Sequence, residues 1–307
     1  MQAKGIFLTI LSAITFGFAF TLAPLIYKGS FDYTSTTVAT NPVTLTFLRN
    51  ALSLPFLFVI VLFLKIPLRL NKKQAINIFI LSVIGNAITT LLLNMAFGMI
   101  DVGIVTPIHF TYPIFVLLGT VLFFREKLTS KKILALVVSM LGIGVFFYEA
   151  LSGGALEGDD FTQTLVGLIL AVVSGVFYAF YIIFMDKSGL KSEPPFKISF
   201  YVALASSFAM AVYGSLTNEL SFTNMNSVSW GLSIVFALLC TVVALSLLQI
   251  GIKHVGANTA AVITTFEPIT SVVCGALILG EHIGVLKVVA CLFIFAGVLI
   301  LSFSKSK

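Results

Sequence analysis

The chain has 307 residues, of which 59% are hydrophobic and only 10% are charged, with a net charge of +6. Soluble domains carry about 25% charged residues, so this composition excludes an ordinary water-soluble protein. Apolar runs of about 20 residues, the length that crosses a bilayer as a helix, recur from end to end. The short alternating segments of a membrane β-barrel are not seen. The composition therefore predicts an all-α integral membrane protein.

The apolar runs predict ten transmembrane helices. The first run has only Lys4 ahead of it and exceeds 20 residues, so we expect an uncleaved span rather than a signal peptide. The three cysteines all lie inside apolar runs, where packed free thiols are expected. The ten predicted spans cover residues 5–27, 43–64, 74–97, 102–124, 131–149, 164–185, 197–217, 228–250, 256–279 and 284–303.

The loops between these spans predict the orientation of the chain. With a cytoplasmic N-terminus, 15 of the 18 basic residues fall on the cytoplasmic side, as the positive-inside rule requires. Acidic residues such as Asp32, Asp101 and Glu157 fall mostly on the other side. We therefore expect both termini in the cytoplasm and location in the inner (cytoplasmic) membrane. The positive charge indicates membrane topology rather than a nucleic-acid partner.

Two stretches 155 positions apart are similar in sequence. Residues 108–126 read IHFTYPIFVLLGTVLFFRE, and residues 263–281 read ITTFEPITSVVCGALILGE. A polar and Gly-containing segment at 151–163 predicts an extracytoplasmic linker, which leaves five spans on each side of it. Because five is odd, the second half enters the membrane in the opposite orientation. The sequence thus predicts two inverted five-helix repeats, 1–150 and 164–307, an arrangement typical of secondary transporters.

The spacing P-x(12)-E occurs twice, from Pro113 to Glu126 and from Pro268 to Glu281. Together with the run LTFLRNALSLP around Arg49, it resembles the drug/metabolite transporter superfamily, in its ten-span EamA-like family. The resemblance covers nearly the whole chain. It implies two five-helix repeats around a central cavity and secondary transport of small metabolites, often export. It implies no particular substrate, because the members differ widely.

Polar residues beside the two prolines are the first candidates for a substrate site. Glu267 lies near the centre of the ninth span, where an acidic residue costs about 3 kcal/mol and usually faces a cavity or a partner. Pro268 also leaves the carbonyl of Thr264 without its helical donor. Glu267 is interpreted as a site for a substrate amine or a proton, or else as a structural carboxylate.

In the fourth span, His109 and Tyr112 occupy the corresponding place before Pro113. A histidine titrates near neutral pH and can relay protons or donate a hydrogen bond. The alternative is a histidine whose ring nitrogens are satisfied by a neighbouring helix.

Other polar and aromatic residues within spans have two readings each. Arg49 lies about a turn and a half inside the outer edge of the second span, where snorkelling to the headgroups or pinning helices together is favoured over binding a substrate carboxylate. Asn86, Thr90 and Asn94 form an i, i+4, i+8 stripe that lines a cavity or joins helices.

Three further aromatic residues complete the predicted site. Phe16, its repeat partner Tyr178, and Tyr181 would suit a cationic or aromatic substrate through cation–π contacts. Packing within the bundle is the other reading for each of them.

Two glutamates mark the ends of the similar stretches. Glu126 and Glu281 are expected to cap helices or to pair with Lys127, Lys131 or Lys287 nearby. As repeat partners they are also hypothesised to form part of the gates.

These features predict a secondary transporter. No GxxxxGK phosphate loop occurs in the sequence, so transport powered by ATP is not indicated. We expect movement of a small polar or amphipathic metabolite, such as an amino acid or amine, by alternating access, with export as the expected direction. Membrane lipids are partners, protons are considered as the coupling ion, and no cofactor, metal or enzymatic activity is expected.

Two other classes of function are weighed against transport. One is a lipid flippase. The other is an intramembrane enzyme, for which Gly231-Leu232-Ser233 distantly resembles a serine-protease motif, although no histidine or second catalytic group is predicted beside Ser233.

Overall fold

The computed structural model describes residues 2–31, 38–99, 102–152, 161–280 and 283–302, and all regular elements in these ranges are helical. Eight helices are long and apolar enough to cross a membrane, and Tyr112–Phe124 and Val285–Ile300 are shorter apolar helices. The predicted all-α class is confirmed. The count of ten spans and the side of the termini stay predictions.

Helices follow one another through both halves with short connections. The helices of the first half are α1 (Gln2–Phe20), α2 (Ala23–Lys28), α3 (Pro42–Ala51), α4 (Leu54–Phe63), α5 (Lys72–Ile80), a π-helical turn (Leu81–Ile88), α6 (Thr89–Phe97), α7 (Val102–His109), α8 (Tyr112–Phe124) and α9 (Ser130–Ser152). Those of the second half are α10 (Phe161–Lys187), a 3-10 turn (Leu190–Ser192), α11 (Pro195–Leu216), α12 (Ser227–Ala237), a second π-helical turn (Leu238–Ala244), α13 (Leu245–Val255), α14 (Ala257–Thr264), α15 (Glu267–Leu279) and α16 (Val285–Ser302).

Four segments that the sequence predicts as single spans are interrupted helices. The interruptions separate α1 from α2, α3 from α4, α7 from α8, and α14 from α15. In each case a proline lies in the first turn of the helix that follows: Pro24, Pro55, Pro113 and Pro268. Proline has no N–H to donate and its ring clashes with the preceding turn. At Pro24 and Pro55 the structure therefore corrects the expected continuous helices, whereas at Pro113 and Pro268 the breaks lie where the prolines of the two similar stretches indicate them.

The π-helical turns interrupt two of the longest spans, Lys72–Phe97 and Ser227–Val255. A π turn pairs each N–H with the carbonyl five residues back, so it holds one residue more than an α turn, and it often occurs at functional sites. Gly85 and Asn86 lie in the first of them. A Cβ on Gly85 would come within 3.0 Å of the Cβ of Tyr181, so this position needs glycine for the close approach of α10.

Helices α9 and α16 pack closely through small residues. A Cβ on Gly142 would lie 2.7 Å from the carbonyl oxygen of Ala290, and a Cβ on Gly297 would lie 2.8 Å from that of Ala135. The two contacts are equivalent in the two halves, because adding 155 to the residue number turns Gly142 into Gly297 and Ala135 into Ala290. Small residues allow such close helix approach in membranes, and reciprocal contacts of this kind are typical of a two-fold relationship.

Large apolar side chains cover the outside of the bundle. Phe63 at the end of α4, Phe123 in α8 and Leu277 in α15 are each more than 80% exposed. Such surfaces are unfavourable in water and suit the hydrocarbon of a bilayer. The core lies between the helices, where the largest fully buried side chains are Tyr112, Tyr181 and Phe236.

Candidate functional site

Two interrupted helices supply the polar groups of the site. Helix α7 ends at His109 and α8 begins at Tyr112, while α14 ends at Thr264 and α15 begins at Glu267. Adding 155 to the bounds of α7 gives those of α14, and adding 155 to the bounds of α8 gives those of α15. In each break the last backbone N–H groups bond only three residues back, as in Thr111 to Ile108 and Phe266 to Ile263. The breaks therefore leave two helix starts inside the bundle.

A cavity opens beside these breaks. The space between its walls, including the part open to solvent, is about 480 Å³. Eight of the residues that the sequence singles out line it: Phe16, Arg49, Asn86, Thr90, His109, Tyr178, Tyr181 and Glu267. The first five belong to the first half of the chain and the last three to the second half, so both halves form the walls.

Arg49 reaches into the cavity from α3. Its side chain is buried, with 6% exposure, so the interpretation that it snorkels to the headgroups is wrong. The guanidinium carbon lies 5.8 Å from the ring centroid of Phe16 and 5.9 Å from that of Phe20. Its Nη1 donates to Oγ1 of Thr90 at 3.4 Å. Two aromatic rings and one hydroxyl thus hold the cation, and its buried Nε has no hydrogen-bond partner in the described part of the chain.

Glu267 begins α15 and lines the same cavity. The N-terminal end of a helix carries a partial positive charge, which stabilises a nearby carboxylate by about 0.3–1 kcal/mol. The ion pairs of the described residues join Lys187 to Glu126 and Asp186, Lys191 to Asp186, and Lys197 to Glu193. Glu267 and Arg49 take part in none of them.

His109 is the last residue of α7, and its ring has a defined neighbour on α10. Its Nδ1 lies 2.8 Å from Oγ of Ser174, and that hydroxyl lies 2.7 Å from the carbonyl oxygen of Ala171. A serine hydroxyl has one proton. Because Ser174 donates this proton to Ala171, its oxygen accepts a hydrogen bond from His109. Nδ1 of His109 therefore carries the ring proton, and Nε2 is an acceptor.

Tyr112 and Thr264, both predicted for the site, lie behind the cavity wall. Both are fully buried, and the Tyr112 hydroxyl lies 2.5 Å from Oγ1 of Thr264. The Tyr112 ring meets Tyr178 edge-on at 4.7 Å, and Tyr178 stacks on Tyr181 at 6.2 Å. The two tyrosines that line the cavity are thus held in place by one that does not.

The polar stripe of the third span divides between two roles. Asn86 lines the cavity and also donates to Oδ1 of Asn50 and Oγ of Ser206. Asn94 instead donates to Oγ1 of Thr46 at 2.8 Å, which joins α6 to α3. The stripe therefore divides between the cavity wall and a helix–helix contact.

Glu126 lies just after the end of α8 and belongs to a group of four interacting residues that we call the latch: Thr120, Glu126, Lys187 and Asn258. Its carboxylate contacts Nζ of Lys187 at the end of α10 and accepts a 2.8 Å hydrogen bond from Asn258 at the start of α14. Asn258 also donates to Thr120 of α8 at 2.8 Å. The latch therefore joins α8 to two helices of the second half.

The sequence predicts the wrong partners for Glu126. It favours Lys127 or Lys131 nearby, whereas the structure brings in Lys187 from the neighbouring helix α10. Glu281, the other predicted helix-end carboxylate, lies outside the described residues.

Six further residues line the cavity that the sequence did not indicate. These residues are Phe20, Gly85, Thr89, Leu93, Phe110 and Leu245. Phe20 follows Phe16 by one helical turn, a spacing that would have suggested it. The apolar residues carry no such signal, because leucine and phenylalanine occur throughout the spans.

Groups suited to metal binding or nucleophilic catalysis are not brought together in the described ranges. No cluster of three or more His, Cys, Asp or Glu side chains occurs among the residues searched. Within the described chain, the buried hydroxyl of Ser233 has no hydrogen-bond partner. A nucleophilic serine needs a base within hydrogen-bond reach, so the serine-protease resemblance gains no support. Cys240, Cys274 and Cys291 are free thiols, as expected.

Comparison with known families decides the relationship of the chain. The model of the EamA-like transporter family matches residues 3–148 and 165–303. The chain belongs to this family. It is therefore a multi-pass integral membrane protein of a family of transporters.

Curated relatives agree with the family. The chain is 27% identical over 204 residues to the uncharacterized transporter YcbK of Bacillus subtilis, covering 64% of this chain and 62% of the relative. It is 25% identical over 191 residues to an uncharacterized transporter of Archaeoglobus fulgidus, covering 62% of each. The matched regions span less than two thirds of these relatives.

A crystal structure of similar architecture also matches. It superposes with a TM-score of 0.78 at 15% identity, covering 98% of this chain and 96% of its own. At this identity the likeness shows the fold alone.

Proposed function

We propose that the protein is a secondary transporter that exports a small polar or amphipathic metabolite across the cytoplasmic membrane by alternating access. The observation that carries the proposal is the cavity beside the two helix breaks, lined by residues of both halves and by the buried side chains of Arg49 and Glu267. Transporters place substrate sites where interrupted helices of two repeats meet near the bilayer midplane.

The proposed architecture has ten spans in two inverted repeats, 1–150 and 164–307, with an extracytoplasmic linker at 151–163 and cytoplasmic termini. Three observations support it: the two family matches, the equal bounds of α7, α8, α14 and α15 after the shift, and the reciprocal contacts of α9 and α16. Rocking of one half against the other would then expose the cavity to each side in turn.

The Glu126 latch is the proposed cytoplasmic gate. It joins the end of α8 to α10 and α14 through one ion pair and one amide. Because the two sides of this contact belong to different halves, rocking would break it. We propose that the latch is closed when the cavity faces outward.

A metabolite-flux experiment in proteoliposomes tests the transporter. Liposomes with purified protein would be loaded with a mixture of amino acids, amines and other small metabolites, and efflux would be followed by mass spectrometry. At least one compound should leave faster than from protein-free liposomes, and Glu267→Gln should slow it. Glu219→Gln is the matched control, since Glu219 is an exposed carboxylate. If none of the compounds leaves faster, the proposal fails.

Two additions to this experiment separate the alternatives. A pH gradient imposed without a substrate gradient would drive flux if protons are the coupling ion. A fluorescent phospholipid in the same liposomes would change leaflets if the protein is a lipid flippase, and this result would contradict metabolite transport when no metabolite moves.

A further inference from the structure

Four cations lie in and just after the short connection between α8 and α9. Arg125, Lys127 and Lys131 are exposed, and Lys132 is partly exposed. We call these four residues the basic loop. None of them belongs to an ion pair among the described residues. The basic loop therefore carries four positive charges that no carboxylate in the described ranges neutralises.

The single acidic residue of this segment does not offset these charges. Glu126 is the only carboxylate between residues 121 and 137. In the latch it is paired with Lys187 and accepts a hydrogen bond from Asn258. Lys197 at the start of α11 likewise pairs with Glu193. Other lysines of the bundle are thus held by carboxylates, whereas the charges of the basic loop stay open to their surroundings.

Apolar side chains on both sides place the basic loop at a membrane surface. Phe123 at the end of α8 is 82% exposed, and Ile133 and Leu134 near the start of α9 are 45% and 52% exposed. Exposed apolar surface of this kind marks contact with the bilayer, and lysine and arginine beside it extend their charged ends to the headgroups. The basic loop therefore lies where phospholipid headgroups lie.

The length of the connection keeps these charges together. Five residues, 125–129, separate α8 from α9, and such a segment spans at most about 18 Å. A second connection with exposed cations, between α4 and α5, has eight residues, 64–71, and can extend to about 28 Å. The shorter connection constrains its cations more closely, which favours one binding site over a spread of charge.

We propose that the basic loop binds the headgroup of an anionic phospholipid. Clusters of about four to eight lysines and arginines beside a membrane span are typical of such binding. The lipid phosphate accepts charge-assisted hydrogen bonds from both kinds of side chain, and the acyl chains lie along the exposed apolar residues of α8 and α9. A zwitterionic phospholipid has the same phosphate but no net charge, so the site distinguishes the two by charge. Because Arg125 and Lys127 flank Glu126, the bound lipid lies against the latch.

Two lipids that differ in net charge test the site on the unmodified protein. Delipidated protein in a non-ionic detergent would be titrated with phosphatidylglycerol or with phosphatidylcholine of identical acyl chains, and bound lipids would be counted by native mass spectrometry. The first phosphatidylglycerol should bind about tenfold more tightly than the first phosphatidylcholine. Inorganic phosphate should not displace it, because phosphate lacks the acyl chains.

Variants then locate the site. Arg125→Gln/Lys127→Gln should weaken the binding of phosphatidylglycerol about tenfold and leave that of phosphatidylcholine unchanged. Arg125→Lys/Lys127→Arg keeps both charges and should bind phosphatidylglycerol as the unmodified protein does. Lys72→Gln/Lys73→Gln is the matched control, because it removes two exposed cations at the start of α5. It should leave the first binding constant unchanged.

Each contrary result would overturn the proposal. Equal affinities for the two lipids would show that net charge is not recognised. An equal loss in Lys72→Gln/Lys73→Gln would indicate a diffuse attraction to all basic loops, and an equal loss in Arg125→Lys/Lys127→Arg would indicate a structural effect. Displacement by inorganic phosphate would indicate a site for a soluble anion instead. Binding is measured without transport, so these results do not depend on the proposed function.

Discussion

The hydroxyl of Tyr112 in α8 lies 2.5 Å from Oγ1 of Thr264 in α14, so a hydrogen bond joins the two helix breaks. A shift of 155 positions turns Tyr112 into Glu267 and Thr264 into His109. The corresponding pair in the other direction is therefore His109 and Glu267, and both of these line the cavity. Tyr112 and Thr264 thus bond to each other between the breaks, whereas the side chains of His109 and Glu267 line the cavity.

The direction of that hydrogen bond predicts unequal effects of removing its two ends. The Thr264 hydroxyl lies 3.0 Å from the carbonyl oxygens of both Ala260 and Ala261 and donates to them, so Tyr112 is the donor to Thr264. Tyr112→Phe should lower the free energy of unfolding by about 1 kcal/mol. Thr264→Val should cost about 1–3 kcal/mol, because it leaves the Tyr112 hydroxyl buried without an acceptor.

Unfolding in detergent would measure both variants. The double variant Tyr112→Phe/Thr264→Val should cost less than the sum of the single ones, because its buried hydroxyl is gone. A larger loss for Tyr112→Phe than for Thr264→Val would show that the assigned donor is wrong.

The α9–α16 contact predicts a strong difference between two nearby glycines. Gly142→Ala would place its Cβ 2.7 Å from the backbone oxygen of Ala290, which cannot move aside as a side chain can. Overpacking of this kind costs about 1–3 kcal/mol. Gly144→Ala is the control, since a Cβ there has no atom within 4 Å. Thermal unfolding should give a lower midpoint for Gly142→Ala alone, and equal midpoints would contradict the close packing.

The bond between His109 and Ser174 predicts a positioning role for the serine. Ser174→Ala removes the acceptor for Nδ1 of His109, so the ring loses its orientation toward the cavity. We expect the KM of transport to rise about fivefold, the equivalent of one ordinary hydrogen bond. Ser207→Ala is the matched control, because the Ser207 hydroxyl bonds only to its own helix at Leu204. A rise in KM for both variants would indicate a general loss of structure instead.

The latch predicts a change in access to the cavity. Glu126→Gln keeps an acceptor for Asn258 but removes the charge that holds Lys187. A partly exposed ion pair contributes about 1 kcal/mol, so the open population should rise about fivefold.

Thiol labelling measures this population. Leu93→Cys places a thiol on the cavity wall in a chain whose native cysteines are replaced by alanine. An impermeant reagent added from the side of Lys187 should label it faster in Glu126→Gln. Lys191→Gln, which removes a neighbouring pair with Asp186, should label at the unmodified rate. Equal labelling rates for Glu126→Gln and the parent would show that the latch is not part of the gate.

The sequence predicted the helices and the central groups because their signals are local. A proline interrupts its own helix, so Pro113 and Pro268 located both breaks, and a lone carboxylate in an apolar run indicated Glu267. The environment of Arg49 depends on distant residues. Its distance from the end of the span is compatible with snorkelling, and only the fold shows that Phe16 and Phe20 of α1 cover its guanidinium.

Contacts between distant helices supply what the sequence left wrong for Glu126 and open for Asn94. Lys187 lies 61 residues from Glu126, so sequence proximity pointed to the wrong lysines. Thr46, the partner of Asn94, lies 48 residues away. Side-chain pairs of this kind depend on how helices are arranged around one another, which hydrophobic periodicity does not specify.

The π-helical turn at Leu81–Ile88 has a consequence for how the third span tolerates change. The turn takes up one residue more than an α turn, so the helices on its two sides keep the phase of an uninterrupted α-helix that is one residue shorter. Deleting a single residue such as Val83 would therefore convert the segment to ordinary α-helix and leave α5 and α6 facing as they do now. An insertion into α6 would instead rotate one side of the span by about 100°, which would turn Thr90 away from Arg49. The third span should therefore tolerate the loss of one residue at the turn better than the gain of one residue in α6.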